Sequence, residues 1–560
     1  MSRLKKLASE TAVYGLSSIL GRVLNFLLTP FYTHVFAREE YGVVGLVYAA
    51  FVFLNIVFTY GFESAYLKYA AGPEGRARVE TVFSTATLSL LATSAALGLL
   101  FALAPGTLGF VSGVAGAEGG GIPYRIVLIA AGILVLDTLA VVPFAELRLA
   151  GRPWAFASAR FAGIAVNIGL NVWLIAGLGR GVEAVFEANL VSSAVTLLLL
   201  APVYARLLRP RFDGSLWREL MRFGLPFVPG GLGYAVTERA SLFGLESLTA
   251  ITPGATGREA VGLFNATWKL GVFMMLVVQM FRFAWQPFFL QHARDADARP
   301  LFARVFTIFN AALVGFFLAV ALFTREIATF PLPGGRMLIA ESYHAGLVVV
   351  PLALLAYAFQ GWYYAFSAGL YIEKQTRYFV HATFAGSVAA VVATFALVPR
   401  YGLVGAGWAN VAGYALMAAA LYGYAQRAYR IPFDWARVGA TVALGAGLYG
   451  LWYALPALDR WWAEALLLAG YAAGLALLGV VPRGIAGRLA RKPARGVEPS
   501  REPGAKASTG EQMAALEGDP ATLAADEGAR AEGSASAPPA ARAANPVPAP
   551  PEPPGGAPKA

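Results

Sequence analysis

Charged side chains lie inside several long apolar segments of this 560-residue chain, where a charge is costly and usually functional, and seven of them are candidate site residues. Four are cations and three are carboxylates: Arg22, Arg239, Lys269, Arg282, Glu63, Asp137 and Glu238. Guanidinium groups form paired hydrogen bonds with phosphate or carboxylate oxygens, so grouped cations would suit a pyrophosphate or an acidic sugar. A buried carboxylate could instead exchange a proton or bind Na⁺.

The spacing of the polar residues predicts helices that turn these groups toward one another. Polar residues three or four apart share a helical face, and four apolar segments carry such a stripe. The stripes are Tyr14, Ser18, Arg22, Asn25 and Thr29; Tyr48, Asn55, Thr59, Glu63 and Tyr66; Tyr234, Glu238 and Ser241; and Asn265, Lys269, Gln279 and Gln286. Because charge is unfavourable against lipid, these faces are expected to line a central cavity.

From these stripes we predict two sets of site residues. The predicted substrate-binding residues are Arg22, Asn25, Arg239, Lys269 and Arg282, and the predicted ion-coupling residues are Glu63, Asp137 and Glu238. A structural alternative stays open, in which Arg22 pairs with Glu63 and Arg239 with Glu238 only to neutralise buried charge. Asp137 could likewise belong to a local ion pair.

The composition identifies the elements that carry these residues. The chain is 58% hydrophobic and only 14% charged, whereas soluble domains carry about 25% charged residues. Its apolar blocks are long enough to cross a bilayer, so we predict an all-α integral membrane protein with about 14 transmembrane helices. The expected spans are residues 11–36, 41–67, 81–104, 123–147, 154–177, 182–205, 221–249, 261–290, 302–323, 345–371, 378–398, 403–425, 435–455 and 461–481. Gly230 to Gly233 are expected to form a hinge or a broken helix within the seventh span.

Cations concentrate in the even-numbered connections between these spans, as at Lys68, Arg148 and Arg209. By the positive-inside rule both termini are predicted to be cytoplasmic. The net charge of +11 then reflects membrane orientation and gives no reason to expect a nucleic-acid partner.

An internal repeat divides the chain. At an offset of about 220 residues, Arg38-Glu-Glu-Tyr-Gly42 aligns with Arg258-Glu-Ala-Val-Gly262, and Ala188-Asn189 with Ala409-Asn410. Two six-helix bundles of parallel topology follow from this alignment, as in alternating-access transporters. The predicted units are an N-lobe (1–205), a C-lobe (206–430), helices 13 and 14 (431–482), and a basic juxtamembrane segment with a disordered Pro/Ala-rich cytoplasmic tail (483–560).

Two segments also resemble a known family. The first is Tyr14-Gly-Leu-Ser-Ser-Ile-Leu-Gly-Arg-Val-Leu-Asn25 with Pro30, Glu39-Glu-Tyr-Gly-Val-Val-Gly45 and Gly61-Phe-Glu-Ser-Ala-Tyr-Leu-Lys-Tyr69; the second is Glu238-Arg239 with Ala260-Val-Gly-Leu-Phe-Asn-Ala-Thr-Trp-Lys-Leu270. They resemble the Wzx-like oligosaccharide flippases of the multidrug/oligosaccharidyl-lipid/polysaccharide exporter superfamily, which translocate O-antigen and exopolysaccharide precursors. Glu238 stands where that family commonly has Asp.

The resemblance implies a flippase that moves undecaprenyl-pyrophosphate-linked oligosaccharide from the inner to the outer leaflet of the bacterial inner membrane. It implies membrane lipid as surroundings, H⁺ or Na⁺ as candidate coupling ions, a polysaccharide polymerase as a candidate partner, and no cofactor. A lipid II flippase and a cation-coupled drug antiporter are the alternatives within this fold. A membrane glycosyltransferase or polymerase is the alternative from another class, but the outside loops 105–122 and 325–344 are short for one.

Overall fold

The computed structural model describes residues 24, 26–71, 76–104, 122–248, 257–375 and 377–480. Most of the first expected span and the predicted tail lie outside these residues. The prediction of an all-α membrane fold is confirmed, since helices account for nearly all the described elements.

The N-terminal half contains eight helices among the described residues. They are α1 (Leu28–Val35), α2 (Arg38–Thr59), α3 (Phe62–Ala70), α4 (Arg76–Leu103), α5 (Tyr124–Leu149), α6 (Pro153–Asn171), α7 (Glu183–Leu199) and α8 (Ala201–Leu207). A π-helical segment, Val172–Gly177, extends α6, and α7 and α8 meet at a 43° bend.

The C-terminal half continues with ten helices. They are α9 (Gly214–Gly224), α10 (Phe227–Leu248), α11 (Gly257–Trp268), α12 (Val272–His292), α13 (Ala298–Leu322), α14 (Thr324–Ala328), α15 (Val350–Ile372), α16 (Arg377–Ala428), α17 (Trp435–Ala454) and α18 (Trp461–Leu477). Short 3₁₀ segments cover Lys269–Gly271, Glu341–Val349 and Pro456–Leu458, and an antiparallel hairpin pairs β1 (Pro331–Leu332) with β2 (Arg336–Met337). α16 is two helices joined at Gly402, whose φ of 51° and ψ of −122° are not helical.

Eight helices of the described chain are long and apolar enough to span a membrane, or nine if the bent α7–α8 pair counts as one span. That criterion counts α16 once, although two separate spans, 378–398 and 403–425, were expected there. The total of 14 spans stays a prediction.

Two expected spans differ from the structure. The second breaks between α2 and α3, because Tyr60 and Gly61 both have left-handed backbone angles. The seventh was expected at 221–249, but α10 begins at Phe227 and residues 214–224 form the separate helix α9. Asp213 starts α9 by accepting hydrogen bonds from the backbone N–H groups of Ser215 and Leu216, and Pro226, which lacks an N–H, follows its end.

The glycines of α10 permit close packing and form no hinge. The helix runs without a break through Gly230 to Gly233. A Cβ at Gly231 would lie 3.2 Å from Ile56 of α2, and one at Gly233 would lie 3.1 Å from Ser387 of α16. The expected hinge is therefore wrong for this structure, and close helix contact explains the small residues.

The aligned repeat segments cross each other reciprocally. A Cβ at Gly42 of α2 would lie 2.2 Å from the carbonyl oxygen of Arg258, and one at Gly262 of α11 would lie 1.9 Å from the carbonyl oxygen of Arg38. Equivalent residues thus make equivalent contacts, as two halves related by a two-fold axis would. The crossing joins the N-lobe and C-lobe where α2 and α11 begin.

The last helix pair packs on the C-lobe. The Tyr471 hydroxyl of α18 donates to the backbone oxygen of Ala311 in α13 at 2.9 Å, and the Tyr471 ring lies where a Cβ at Gly315 would touch it. Leu318, Leu322 and Tyr471 form a buried apolar cluster between these helices. This cluster holds α17 and α18 beside the C-lobe.

Candidate functional site

Arg239 on α10 is the central cation of the candidate site. Its guanidinium lies 3.6 Å from the Glu238 carboxylate, a distance too long for a strong hydrogen bond. Its Nε is buried and finds no hydrogen-bond partner among the described residues, although 29% of the side chain is exposed. Glu238 therefore offsets the charge of Arg239 without satisfying its donors.

Lys269 lies next to Arg239 and connects the two lobes. It opens the 3₁₀ segment that separates α11 from α12, and its ammonium donates to the hydroxyl of Tyr41 on α2 at 2.8 Å. Arg239 is close enough to repel it electrostatically. Two cations are thus held together at the interface between the lobes.

A group of tyrosines surrounds these cations. Tyr234, Tyr357 and Tyr414 are electrostatic neighbours of Arg239, and adjacent rings in this group have centroids 6.3 Å apart. The Gln360 amide donates to the Tyr234 hydroxyl. Ring faces and hydroxyls of this kind can contact the apolar and polar faces of a sugar.

Arg282 reaches the same group of tyrosines from α12. Its guanidinium donates to the Tyr364 hydroxyl at 3.4 Å and lies 4.7 Å from the centre of that ring. Tyr364 in turn lies within electrostatic reach of Tyr234 and Tyr414. These residues form a tyrosine–cation cluster, whose members are Tyr234, Glu238, Arg239, Lys269, Arg282, Tyr357, Tyr364 and Tyr414.

Tyr234 belongs to a polar stripe predicted from the sequence, but Tyr357, Gln360, Tyr364 and Tyr414 were missed. Tyr357, Gln360 and Tyr364 recur at spacings of three and four along α15, which places them on one helical face. That periodicity could have revealed them, but no charge drew attention to α15.

Asp137 belongs to a separate polar network in the N-lobe. Its carboxylate on α5 accepts a hydrogen bond from the Ser193 hydroxyl of α7 at 2.7 Å, and Arg160 of α6 and Tyr48 of α2 are electrostatic neighbours. The amide of Asn189 donates to the Tyr48 hydroxyl at 3.2 Å. The network ties four helices of the N-lobe around one carboxylate.

Glu63 lies outside the tyrosine–cation cluster but is an electrostatic neighbour of Arg160, which also neighbours Asp137. The break at Tyr60 and Gly61 carries it into α3, where it pairs with Arg148 of α5. Nearby, the Tyr66 hydroxyl donates to the Glu146 carboxylate at 2.6 Å. Arg22, its alternative partner from the sequence, and Asn25 lie outside the described residues.

Comparisons with known proteins identify one matching family and several solved structures with a similar fold. Residues 34–243 match the family described as Polysaccharide biosynthesis protein. The lipid II flippase MurJ in an inward closed conformation has a similar structure, with a TM-score of 0.63 at 12% identity over 85% of this chain and 99% of MurJ. The chain therefore shares its fold with this flippase. An inward-facing multidrug resistance MATE family transporter of the MOP superfamily also matches, with a TM-score of 0.55 at 16% identity over 72% of this chain and 94% of that transporter.

The predicted resemblance to the polysaccharide biosynthesis proteins is thereby confirmed over residues 34–243, and the two solved structures confirm the transporter-type fold. No curated protein matches it by sequence.

Proposed function

We propose that this protein is a flippase for undecaprenyl-pyrophosphate-linked oligosaccharide, working by alternating access between the N-lobe and C-lobe. The coarser statement, a polysaccharide-biosynthesis membrane protein with a transporter fold, rests on the comparisons. The substrate is argued from the tyrosine–cation cluster. In this proposal the termini are cytoplasmic, the membrane is the bacterial inner membrane, and a polysaccharide polymerase receives the product.

The excess of cations in the cluster carries the proposal. Arg239 and Lys269 lie within electrostatic reach of each other, the cluster holds one carboxylate, Glu238, and the buried Nε of Arg239 has no partner among the described residues. A guanidinium donor left without an acceptor is costly, and a pyrophosphate oxygen would satisfy it. The cluster therefore favours an anionic ligand.

The same excess argues against a cation-coupled drug antiporter. An organic cation would be repelled by Arg239 and Lys269, whose charges already repel each other. The neutralisation alternative accounts for the Arg239–Glu238 contact, but it does not account for the second cation, Lys269, whose ammonium donates to a tyrosine hydroxyl. A lipid II flippase shares the pyrophosphate chemistry and differs only in the glycan.

Asp137 is the proposed ion-coupling residue best supported by its surroundings. Its carboxylate is held by Ser193 and lies within reach of Arg160, so gain of a proton or Na⁺ would change the balance of a four-helix network. Tyr48 connects that network to α2, which also carries Tyr41 and so contacts Lys269. Glu238 remains a second candidate because its ionisation sets the charge beside Arg239.

The test of function uses the full chain in proteoliposomes. A fluorescent prenyl-pyrophosphate oligosaccharide is incorporated, and an impermeant reductant added outside destroys the fluorescence of the outer leaflet. We expect protein-dependent loss of the protected inner-leaflet signal. The same vesicles loaded with an organic cation serve as the comparison.

Absence of glycan flipping across several glycans, together with gradient-driven efflux of the organic cation, would overturn the proposal in favour of an antiporter. Flipping confined to a muropeptide-bearing lipid would replace the substrate by lipid II and keep the mechanism.

A further inference from the structure

A buried carboxylate lies outside the tyrosine–cation cluster, at the start of the last helix. Glu464 of α18 is completely buried, with a relative exposure of 0%. Its Oε1 accepts a 3.3 Å hydrogen bond from the indole N–H of Trp452 on α17. Its Oε2 has no hydrogen-bond partner among the described residues.

A second carboxylate lies within electrostatic reach of Glu464. Glu326 of α14 is half-buried, lies within electrostatic reach of Glu464, and has a buried Oε2 that also lacks a partner among the described residues. Asp459 adds a third negative group, but Arg325 pairs with it at 3.3 Å. Glu464 and Glu326 are therefore neighbouring carboxylates, each with a buried oxygen that has no hydrogen-bond partner among the described residues.

Within the described part of the chain, the other charged groups do not neutralise this pair. Arg460 precedes α18 and is exposed, and Glu341, beside α14, is exposed as well. The charged side chains of the helices packed against α18 lie at the opposite ends of those helices: Arg299 and Arg304 on α13, and Arg437 on α17. A fully buried anion beside a half-buried one, with no counter-ion among the described residues, would be strongly unfavourable.

One proton would supply the hydrogen bond that the unpartnered oxygens of Glu464 and Glu326 lack. A protonated carboxyl gains an O–H donor, so a proton held by one Glu can be donated to the unpartnered oxygen of the other. A metal ion is the weaker candidate, because the described residues contain no group of three side chains that could hold one. We propose that Glu464 and Glu326 form a proton-binding site that fastens α17 and α18 to the C-lobe.

The site gives the helix pair a sensitivity to pH. In the predicted orientation the site lies near the outer surface. The pH outside the cell would therefore determine whether the site holds its proton. Loss of the proton leaves two repelling carboxylates between α18 and α14, and the contact of α18 with α13 weakens. This inference is independent of the proposed substrate and does not require transport.

Infrared difference spectroscopy on the full chain in nanodiscs tests the site. Titration from acidic to alkaline pH should remove a protonated-carboxyl C=O band in the unmodified protein. That band should be absent in Glu464→Gln and in Glu326→Gln, and unchanged in Glu373→Gln, an exposed control on the far side of the C-lobe. An unchanged band in both site variants would overturn the proposal.

Thermal unfolding supplies the second readout. The unmodified protein should lose thermal stability as pH rises. Glu464→Gln should lose much less stability, because its amide can donate to Glu326 at any pH. At alkaline pH this variant should therefore be more stable than the unmodified protein. Equal pH profiles would contradict a shared proton. A saturable stabilisation by NaCl at alkaline pH, absent with choline chloride at equal ionic strength, would replace the proton by Na⁺ and overturn the assignment.

Discussion

Arg239 concentrates the chemistry of the candidate site in one side chain. Its guanidinium lies 3.6 Å from the Glu238 carboxylate, and the Lys269 ammonium is within electrostatic reach. Its buried Nε has no partner among the described residues. Its charge alone would attract an anion, but its planar donors select a ligand that offers two oxygens together. Charge and donor geometry can therefore be tested separately.

Replacing Arg239→Gln should reduce flipping by about ten- to a hundredfold, since a hydrogen bond to a charged group contributes about 1.5–3 kcal/mol. Arg239→Lys should retain only part of the activity because an ammonium lacks the paired donors. The measurement is the initial rate of flipping in proteoliposomes. Arg304→Gln, an exposed cation on α13, is the control, and an equal loss there would contradict a specific role for Arg239.

Asp137→Asn should remove the response to an imposed proton or sodium gradient while preserving downhill flipping. The amide oxygen can still accept from Ser193, so the fold is expected to survive, but the side chain no longer gains or loses a proton. The initial rates of flipping with and without the gradient are the measurement that shows whether the response is lost. Ser193→Ala should keep gradient dependence, and a gradient response that persists in Asp137→Asn would exclude this carboxylate.

At the scale of elements, the structure depends on close approaches that no charge pattern reveals. α2 and α11 cross where Gly42 and Gly262 leave room for each other's backbone, and Gly45 lies against Asn265. In the predicted orientation this crossing closes the outer side. Alternating access then requires the crossing to open.

A disulfide across the crossing should stop transport. The chain has no cysteine, so Gly45→Cys with Asn265→Cys introduces one isolated pair. A Cβ at Gly45 would lie 3.2 Å from the Asn265 Cβ, near the separation in disulfides. Oxidation should block flipping and reduction should restore it. Each single variant is the control, and full transport by the oxidised pair would contradict an opening at this crossing.

The short helix α9 is capped from its N-terminal side by Asp213. Hydrogen bonding from Ser215 and the Leu216 N–H holds the pKa of Asp213 below its usual value of 3.8. Such a carboxylate stabilises the helix at higher pH and loses that effect as pH falls through the lowered pKa. Protection factors for hydrogen exchange over residues 214–224, which correct for the slower intrinsic exchange in acid, should therefore fall on acidification. Asp213→Asn should keep the cap without the pH dependence; the same acid response in that variant would locate the titration elsewhere.

At the scale of the whole molecule, hydropathy and charge predicted the class of fold and many helix bounds. The fourth span was expected at 123–147 and α5 is Tyr124–Leu149, because a lipid-crossing segment must be long and apolar. The same reasoning joined α9 to α10 and missed the break after Thr59. Those features depend on a cap, a proline and left-handed residues, which barely change average hydropathy.

The candidate site was predicted in part for a similar reason. Buried charges are rare, so Arg239, Lys269 and Arg282 stood out in the sequence, whereas tyrosines are common in membrane helices and those of α15 did not. Periodicity also placed Glu63 beside the central face, but the backbone break turned it toward Arg148. Helical phase is predictable only while the helix is unbroken.

Two glycolipids that differ only in the pyrophosphate test most directly whether the tyrosine–cation cluster recognises that group. Both carry the same fluorescent oligosaccharide and prenyl chain, and one has an uncharged linker. The intact protein should flip the pyrophosphate-linked form much faster, and Arg239→Gln should lose most of that preference. Equal flipping of both glycolipids by the intact protein would contradict recognition through the tyrosine–cation cluster.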